Sequence, residues 1–509
     1  MVKILAFDLG TGGNKAALFD ADGACIDTAF VAYPTSYPRP KWHEQRPEDW
    51  WAAVVESTRR LIEKTGIAPE EIASIAVSGH SLGVVSLAAD GTLLREWTPI
   101  WSDSRPEQEA ERFFAKIDPT QWYMTTGNGF PAPHYSVFKI CWIRENEPET
   151  YRKIAHVIGT KDYVNYKMTG EIATDFSYAS GSGVYNLLDW AYDETLMNAS
   201  DVSPALFPKI VPSTQILGHL TTAAATELGL SEKTVVVCGG VDNACMAAGA
   251  KAFKPGRSYA SLGSSSWVAI SDNVPLLEEK SKPYVFTHVL PGQFVSALAI
   301  FSAGTTFRWL RDTVCKNIAE QAESEGVNPY ERMIALAEKI PVGSNGLMMN
   351  PSFAGGSSFD PTPHLRGAFF GLDLSHTQAD MIRAVMEGIA INTRCLVDGF
   401  RDLTTLENEM LVVGGGAISP IWRQIYADAL RMGIVKTNID QNAAALGAAA
   451  LAAVGAGIWE SFEPLDDIHK VESVSLPQKS QKEMYDQLYP RFLLARDLLV
   501  QWANHNHKQ

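Results

Sequence analysis

The sequence has few cysteines, no excess of positive charge and no long run of purely apolar residues. The six cysteines are scattered and none forms a C-x-x-C pair, which indicates a reduced protein without a disulfide framework or a zinc site. The formal net charge of −15 argues against a nucleic-acid partner, because a phosphate backbone requires a basic face. The N-terminal residues read directly as a strand, so we expect no signal peptide and a cytoplasmic protein.

One segment could be mistaken for a membrane span. Residues 443–457 read AAALGAAALAAVGAG, but such an alanine- and glycine-rich run is shorter than a bilayer requires and predicts a tightly packed helix. We therefore expect no membrane partner. The 46% apolar and 20% charged content of the 509 residues is that of a soluble globular protein, and the length predicts two or three domains.

Residues 7–20, FDLGTGGNKAALFD, place a glycine-rich loop after an apolar strand. The loop fits neither the P-loop pattern nor the dinucleotide fingerprint, whose third glycine is replaced by Lys15. The turn signal DADG at 20–23 ends the following run, so the element is predicted to be a hairpin. Such a loop can bind phosphate through backbone N–H groups, with Asp8 facing Mg²⁺. A plain hairpin with Asp8 as a turn residue remains the alternative.

The same pattern recurs half a chain later. Residues 258–270, SYASLGSSSWVAI, again predict a strand, a small-residue turn and a strand. Residues 233–250 and 410–430 each predict a buried strand, two or three glycines and a helix. Alternating strands and helices indicate α/β layers, and the repetition predicts an internal duplication: two related domains that face one cleft.

These blocks resemble the FGGY carbohydrate kinase family. The second family signature is complete from Gly367 to Glu387, and the first lies around SVFKICWIRENEP, with Lys139 in place. Because Asp242 is followed by Asn243, the pattern is most similar to xylulokinase-like members. The resemblance implies an α/β, two-domain ribonuclease H-like fold, as in actin, hexokinase and the Hsp70 ATPase, with an interdomain active-site cleft. It implies an N-terminal acceptor domain at 1–248 and a C-terminal ATP domain at 249–509 that ends in a packing helix.

The resemblance also assigns roles, with ATP and Mg²⁺ as cofactors and a small sugar or polyol as substrate. Asp242 would be the general base, and Asp8 together with Asp242 would hold Mg²⁺ largely through water. The residues assigned to ATP are Thr11, Gly12 and Asn14 in the first loop, Gly263 and Ser264 in the second, Gly304 and Arg308 beside the nucleotide, and Gly415, Gly416, Ala417 and Ser419 at the adenosine.

The acceptor region departs from the xylulokinase pattern. His80-Ser81-Leu82-Gly83 stands where Gln-Met-His-Gly is usual, so the sugar-contacting histidine is replaced by Leu82. Our candidate acceptor residues are His80, Ser81, Asp103, Arg105, His134 and Asn243. Each histidine could instead be structural, Asp103 and Arg105 could be a surface ion pair, and Asp175 and Ser177 could form a turn. Because buried polar groups decide sugar specificity, the acceptor is left open among an aldose, a ketose, a sugar alcohol and a non-sugar polyol.

The sequence thus predicts ATP-dependent phosphorylation of a hydroxyl group on a small sugar or polyol. Phosphoryl transfer needs positioning, charge neutralisation and a base near the nucleophile, and these residues supply all three. A nucleotide-gated sugar sensor of the same fold is the alternative. Family members are often dimers, so the resemblance suggests a homodimer. Residues from about 481 predict a packing or oligomer-contact helix.

Overall fold

The computed structural model describes residues 2–362 and 364–506 of the chain. It contains two compact units, of which the first comprises 1–255, 271–296 and 442–469 and the second comprises 256–270, 297–441 and 470–509. This division differs from the two contiguous halves, 1–248 and 249–509, expected from the sequence. The main reason is the alanine-rich segment after residue 442, which packs within the first unit although it follows most of the second.

The strands alternate with helices along most of the chain. They are β1 (Lys3–Gly10), β2 (Gly13–Asp20), β3 (Cys25–Ala32), β4 (Glu44–Gln45), β5 (Ile72–Gly79), β6 (Val85–Leu87), β7 (Thr98–Pro99), β8 (His156–Ile158), β9 (Ala173–Asp175), β10 (Tyr185–Asn186), β11 (Ala191–Tyr192), β12 (Lys209–Val211), β13 (Ile216–His219), β14 (Val235–Val241), β15 (Ser258–Leu262), β16 (Ser266–Asp272), β17 (Tyr284–Thr287), β18 (Phe294–Ile300), β19 (Met348–Asn350), β20 (Ala368–Phe370), β21 (Glu409–Val413), β22 (Gly433–Thr437) and β23 (Val471–Ser475).

The helices are mostly short, apart from three long ones at Pro47, Gln378 and Lys479. They are α1 (Pro47–Thr65), α2 (Glu107–Phe114), α3 (Pro119–Thr126), α4 (Ser136–Asn146), α5 (Pro148–Tyr151), α6 (Thr160–Thr169), α7 (Phe176–Ala179), α8 (Glu194–Ser200), α9 (Thr222–Leu228), α10 (Asp242–Gly249), α11 (Gly304–Thr313), α12 (Lys316–Ser324), α13 (Pro329–Ala337), α14 (Gln378–Arg401), α15 (Pro420–Leu430), α16 (Ala443–Gly455), α17 (Pro464–Ile468) and α18 (Lys479–Asn506).

The two main sheets share one plan. The first has the strand order β13-β14-β5-β1-β2-β3, in which β1, β2 and β3 are antiparallel neighbours while β5 and β14 run parallel to β1. The second has the order β17-β18-β16-β15-β21-β22-β23, in which β15 and β16 form a hairpin and β21 and β22 run parallel to β15. Both glycine-loop hairpins and the internal duplication expected from the sequence are therefore present in the strand order.

Helix α16 is the alanine-rich segment. Nearly all its residues are buried, and it packs on β1, β5 and β14 and against α10. The crossing with α10 is close because both helices have a glycine there: a methyl group on Gly249 would lie 1.8 Å from the Ala443 carbonyl oxygen, and one on Gly447 would lie 1.9 Å from that of Cys245. Within residues 2–362 and 364–506, no helix combines the length and apolarity needed to cross a bilayer.

The predicted C-terminal helix is α18, which begins at Lys479. It packs against α14 and α15. Its buried Tyr485 donates to Glu387 Oε1 at 3.0 Å, and Arg383 also contacts that carboxylate at 2.8 Å. The helix therefore completes the second unit.

Candidate active site

Asp8 and Asp242 lie at the ends of β1 and β14, the two strands that flank β5 and run parallel to it in the first sheet. Asp8 is near the end of β1, where the Ser78 hydroxyl donates to it at 3.1 Å. Asp242 is the first residue of α10, directly after β14. The pairing of β14 with β5 shifts register just before Gly240, where Gly239 has φ +75° and a methyl group would lie 2.1 Å from the Val77 carbonyl oxygen. This bulge redirects the chain from the strand into α10.

The two carboxyl groups influence each other. Desolvation and, to a smaller extent, the charge of Asp8 raise the pKa of Asp242 to about 7, against the opposing effect of the Asn243 backbone N–H, which donates to this carboxyl group at 2.8 Å. Desolvation also raises the pKa of Asp8, against the opposing charge of Lys15. A pKa near neutrality suits a general base.

This carboxylate pair also fits Mg²⁺. A cation between two like charges would relieve their repulsion. No group of three or more histidine, cysteine or acidic residues able to hold a metal occurs in the described part of the chain. Mg²⁺ does not require one, because it keeps several waters and takes one or two carboxylates.

A buried polar network anchors the backbone just before Asp242. The Val241 N–H donates to the Ser177 hydroxyl at 2.9 Å, and that hydroxyl donates to Asp175. Asp175 forms an ion pair with Lys161 at 3.0 Å, and Lys161 also contacts Asp162 at 2.5 Å. Asp175, undecided from the sequence, thus caps α7 by accepting from the backbone N–H groups of Ser177 and Tyr178, while the Ser177 hydroxyl holds the end of β14.

We expect Ser177→Ala to lower kcat about tenfold while the thermal unfolding midpoint changes little. The substitution removes the acceptor for the Val241 N–H, and small displacements of a reacting group are costly. Steady-state kinetics of phosphoryl transfer, the activity predicted from the sequence, measure the effect on the purified protein. Ser180→Ala is the matched control, because that buried hydroxyl donates only to the Ser177 carbonyl at 2.8 Å. Equal losses in the two variants would contradict a specific role for Ser177.

The first glycine loop is a tight hairpin whose tip is Thr11-Gly12, since Gly10 pairs with Gly13. Trp101 Nε1 donates to the Thr11 hydroxyl at 2.9 Å. Thr11 is partly exposed and Gly12 is exposed, and the phosphate-binding role of this tip stays a prediction. The side chain of Asn14 is buried and donates to Ser57 on α1 at 2.8 Å. Side chains along β2 alternate between the two faces of the sheet, and Asn14 lies on the face that packs against α1. The loop pattern alone did not reveal this orientation.

Asp103 and Arg105 form part of a buried ion cluster. Arg105 contacts both oxygens of Asp103, at 2.6 Å for the shortest pair, and contacts Glu44 at 2.8 Å. Its guanidinium lies 3.8 Å from the ring centre of Trp42 and 4.9 Å from that of Trp142. The sequence-based alternative of a surface ion pair is therefore wrong, because the Arg105 and Asp103 side chains are 1% and 0% exposed.

The two candidate histidines differ in access. His80 is buried, its ring lies against Thr160 Oγ1 at 3.1 Å, and burial lowers its pKa to about 4. Its side chain is thus placed in the core rather than on an acceptor surface. His134 is partly exposed, and its Nδ1 atom has no hydrogen-bond partner among the described residues. Desolvation lowers its pKa to about 3. Ser81 and Asn243, both partly exposed, remain candidates with His134.

The second unit contains a cavity of about 620 Å³, a volume typical of small-molecule sites. Most residues assigned to ATP from the sequence line it, namely Gly263, Ser264, Gly304, Arg308, Gly415, Gly416 and Ser419. Ala417 does not line it, because it is buried beneath the loop and its carbonyl accepts from Arg423. The structure therefore brings together residues that lie more than 150 positions apart in sequence.

The second glycine loop is held on the N-terminus of α11. The Ser264 carbonyl accepts from the backbone N–H groups of Ala303 and Thr305, each at 3.0 Å, and the Gly263 carbonyl accepts from that of Gly304 at 3.0 Å. Arg308 donates to the Ser264 hydroxyl at 3.3 Å. This packing requires Gly304, where a methyl group would lie 2.5 Å from the Gly263 oxygen.

Several lining residues were not predicted from the sequence. The cavity wall is formed largely by apolar and aromatic side chains such as Phe307, Tyr330, Ile334, Ile418 and Trp422, which are indistinguishable from core residues in a single sequence. In the first unit, His43 was also missed. Its backbone N–H donates to Asp103 and its ring contacts Ser102, both at 2.8 Å.

Comparisons with known proteins agree with this architecture. Residues 3–249 match the N-terminal domain, and residues 258–456 the C-terminal domain, of the FGGY family of carbohydrate kinases. The chain is 30% identical over 489 residues to the xylulose kinase of Bacillus subtilis, covering 94% of each chain, and 29% identical to the gluconokinase of that species, covering 97% of this chain and 96% of the other. The crystal structure of xylulose kinase from Rhodospirillum rubrum superposes with a TM-score of 0.89 at 26% identity, covering 99% of this chain and 100% of that one. The chain therefore belongs to the FGGY family of carbohydrate kinases.

Proposed function

We propose that this carbohydrate kinase transfers the γ-phosphoryl group of ATP to a hydroxyl group of a small uncharged sugar or polyol, with Asp242 as general base. The observation that carries the proposal is the placement of Asp8 and Asp242 at the ends of β1 and β14, the two strands that flank β5, where the charge of Asp8 acts on the carboxyl group of Asp242. The nucleotide cavity of the second unit supports it independently. Nothing in the geometry or in the comparisons favours the sensor alternative.

Each group has a defined task in this mechanism. Asp242 accepts the proton of the acceptor hydroxyl, whose oxygen forms a bond to the γ-phosphorus of ATP as the bond from that phosphorus to the β,γ-bridging oxygen breaks and ADP leaves. Asp8 and Asp242 would hold Mg²⁺, which when bound neutralises charge on the phosphates. The backbone N–H groups at Thr11-Gly12 and at Gly263-Ser264 bind phosphate oxygens. The apolar wall of the second unit's cavity accommodates the adenosine.

The charges near His134 favour an uncharged acceptor over a sugar acid. The three loops at 80–83, 100–105 and 131–135 carry a single arginine and two histidines as their basic residues. Arg105 is enclosed and neutralised by Asp103 and Glu44. Burial keeps the pKa values of His80 and His134 at about 4 and about 3, so both rings are neutral at physiological pH. These loops therefore offer no available cation to a carboxylate.

The test is ADP release from Mg·ATP across a panel of pentuloses, hexuloses, aldoses, pentitols, tetritols, glycerol and gluconate. We expect turnover of at least one uncharged compound and at least a hundredfold lower kcat/KM for gluconate. If gluconate were the best substrate, the proposal of an uncharged acceptor would be wrong, but the proposed kinase activity would stand. If no panel compound stimulated ADP release while ATP still bound, the result would contradict this acceptor class as a whole and favour an acceptor of different chemistry.

A further inference from the structure

Lys139 is a buried lysine that forms no ion pair with a carboxylate among residues 2–362 and 364–506. It lies on α4, is 1% exposed, and its ammonium group donates to the carbonyl oxygens of Leu82 at 2.8 Å, Ile100 at 2.7 Å and His134 at 2.7 Å. All three N–H groups of the ammonium are thus used, and each donates to a carbonyl group on a different loop. Asp103, the acidic group whose charge raises the pKa of Lys139, is itself bound by Arg105.

These three loops are the ones that carry the acceptor candidates. Ser81 precedes Leu82, Asp103 follows Ile100 by three residues, and the third acceptor, the His134 carbonyl, belongs to a candidate itself. The first loop is also strained. Leu82 has φ +61°, in the left-handed region that a leucine rarely adopts. Its side chain is buried against Gly181, where a methyl group would lie 2.7 Å from Leu82 Cδ2. The loop therefore needs an external constraint, and Lys139 provides one.

The three carbonyl groups explain why a lysine is buried here. An apolar residue of similar length would avoid the cost of burying an ammonium group, but it would leave the carbonyl oxygens of Leu82, Ile100 and His134 without this donor. What only a charged amine with three donors can do is fix the mutual spacing of three carbonyl groups.

We infer that Lys139 is a positioning residue that sets acceptor affinity by fixing the positions of the loops at 80–83, 100–105 and 131–135 relative to one another. The inference rests on the proposed function, since it concerns the acceptor site of that kinase. Lys139 touches neither acceptor nor phosphate. Its effect falls on KM for the acceptor, and the nucleotide cavity of the second unit is not involved.

The constraint is sensitive to pH. Desolvation lowers the pKa of Lys139 to about 7, with Arg105 lowering it and Asp103 raising it. The other titratable groups on these loops, His80, His134 and Tyr135, are neutral in this range, because burial lowers the pKa of both histidines and raises that of the tyrosine. Below pH 7 the ammonium donates three hydrogen bonds, whereas above pH 7 the neutral amine has only two N–H groups for three carbonyls. Acceptor affinity therefore weakens on the alkaline side.

The experiment compares the wild type with Lys139→Met, which keeps the length of the side chain, and with Lys153→Met, an exposed lysine of the same unit, as the control. The probe is the panel compound with the highest kcat/KM. We expect Lys139→Met to raise its KM at least tenfold, with KM for ATP changed less than twofold. The wild-type acceptor KM should rise about threefold from pH 6 to 8.5, and that of Lys139→Met should not depend on pH.

Amide hydrogen exchange on the protein alone gives a second readout that needs no substrate. Faster exchange at all three loops in Lys139→Met, but not in Lys153→Met, is the expected result. Loosened loops with an unchanged acceptor KM would overturn the inference, as would equal rises in KM for acceptor and ATP. If Lys139→Met does not fold, a wild-type acceptor KM that stays constant from pH 6 to 8.5 would overturn it as well. A silent acceptor panel would instead count against the proposed function.

Discussion

Replacing Asp242 by asparagine is expected to lower kcat about a thousandfold, because a positioned general base contributes roughly 10²–10⁴ to the rate of proton transfer. The amide keeps the shape of the side chain but cannot accept the proton. Stability should not fall, since the substitution removes a desolvated carboxyl group whose pKa the neighbouring charge of Asp8 already raises. The residual rate should also lose its dependence on a group that titrates near pH 7. Steady-state kinetics between pH 5.5 and 8.5 and thermal unfolding measure both effects.

Asp193→Asn is the matched control for this variant. Asp193 also stands at the start of a helix, where it accepts from the Leu196 N–H at 2.9 Å, and asparagine serves equally well at such a position. Its turnover should therefore be unchanged. Near-normal turnover in Asp242→Asn would mean that another group takes the proton, and the assignment of the base would have to be withdrawn.

Replacing Gly447 by alanine is expected to destabilise the first unit by about 2 kcal/mol or more, which is the cost of overpacking in a close-packed interior. In most helices this exchange is stabilising by roughly 0.5–1 kcal/mol, because glycine loses more backbone freedom on folding. Here the new methyl group would lie 1.9 Å from the Cys245 carbonyl oxygen, and neither backbone can yield without separating α16 from α10. Because α10 begins with Asp242, we also expect kcat to fall about tenfold.

Denaturant titration of the full chain measures the stability change, with Gly218→Ala as the control. A methyl group at Gly218 would meet Thr169 only at ordinary contact distance, 3.8 Å, so that variant should unfold at nearly the wild-type denaturant concentration. If Gly447→Ala were as stable as the wild type, the close crossing of α10 and α16 would not exist in solution.

Local patterns predicted the elements around the site well. The hairpins at Gly10–Gly13 and Leu262–Ser266 and the strand–glycine–helix segment that contains Asp242 are all present. These features depend on residues within about ten positions of one another, such as glycine turns and apolar runs. The resemblance to the carbohydrate kinases supplied the family and the fold, which the domain matches confirm.

The positions of individual side chains in the fold were less predictable, because they depend on which distant segments pack together. The sequence offered His80 as an acceptor residue, but its ring lies in the core against Thr160. It predicted that Asn14 binds a phosphate of ATP, but the alternation of side chains along the strand directs that amide toward α1. His43 has no sequence signal at all, since only the fold brings it to Asp103. The roles assigned to Asp242, Asp8 and the nucleotide residues remain predictions.

The position of helix α16 in the sequence has a consequence for how the chain folds during its synthesis on the ribosome. It covers β1, β5 and β14, yet it is translated almost two hundred residues after α10, its partner in the close crossing. Nascent chains fold domain by domain as they emerge, but here one face of the first sheet stays uncovered until residue 455 has left the exit tunnel. A fragment that stops at residue 255 would carry the complete first sheet and the candidate base, and would still be expected to aggregate. Truncation libraries and cell-free synthesis should therefore show soluble, protease-resistant N-terminal material only from chains that extend past α16.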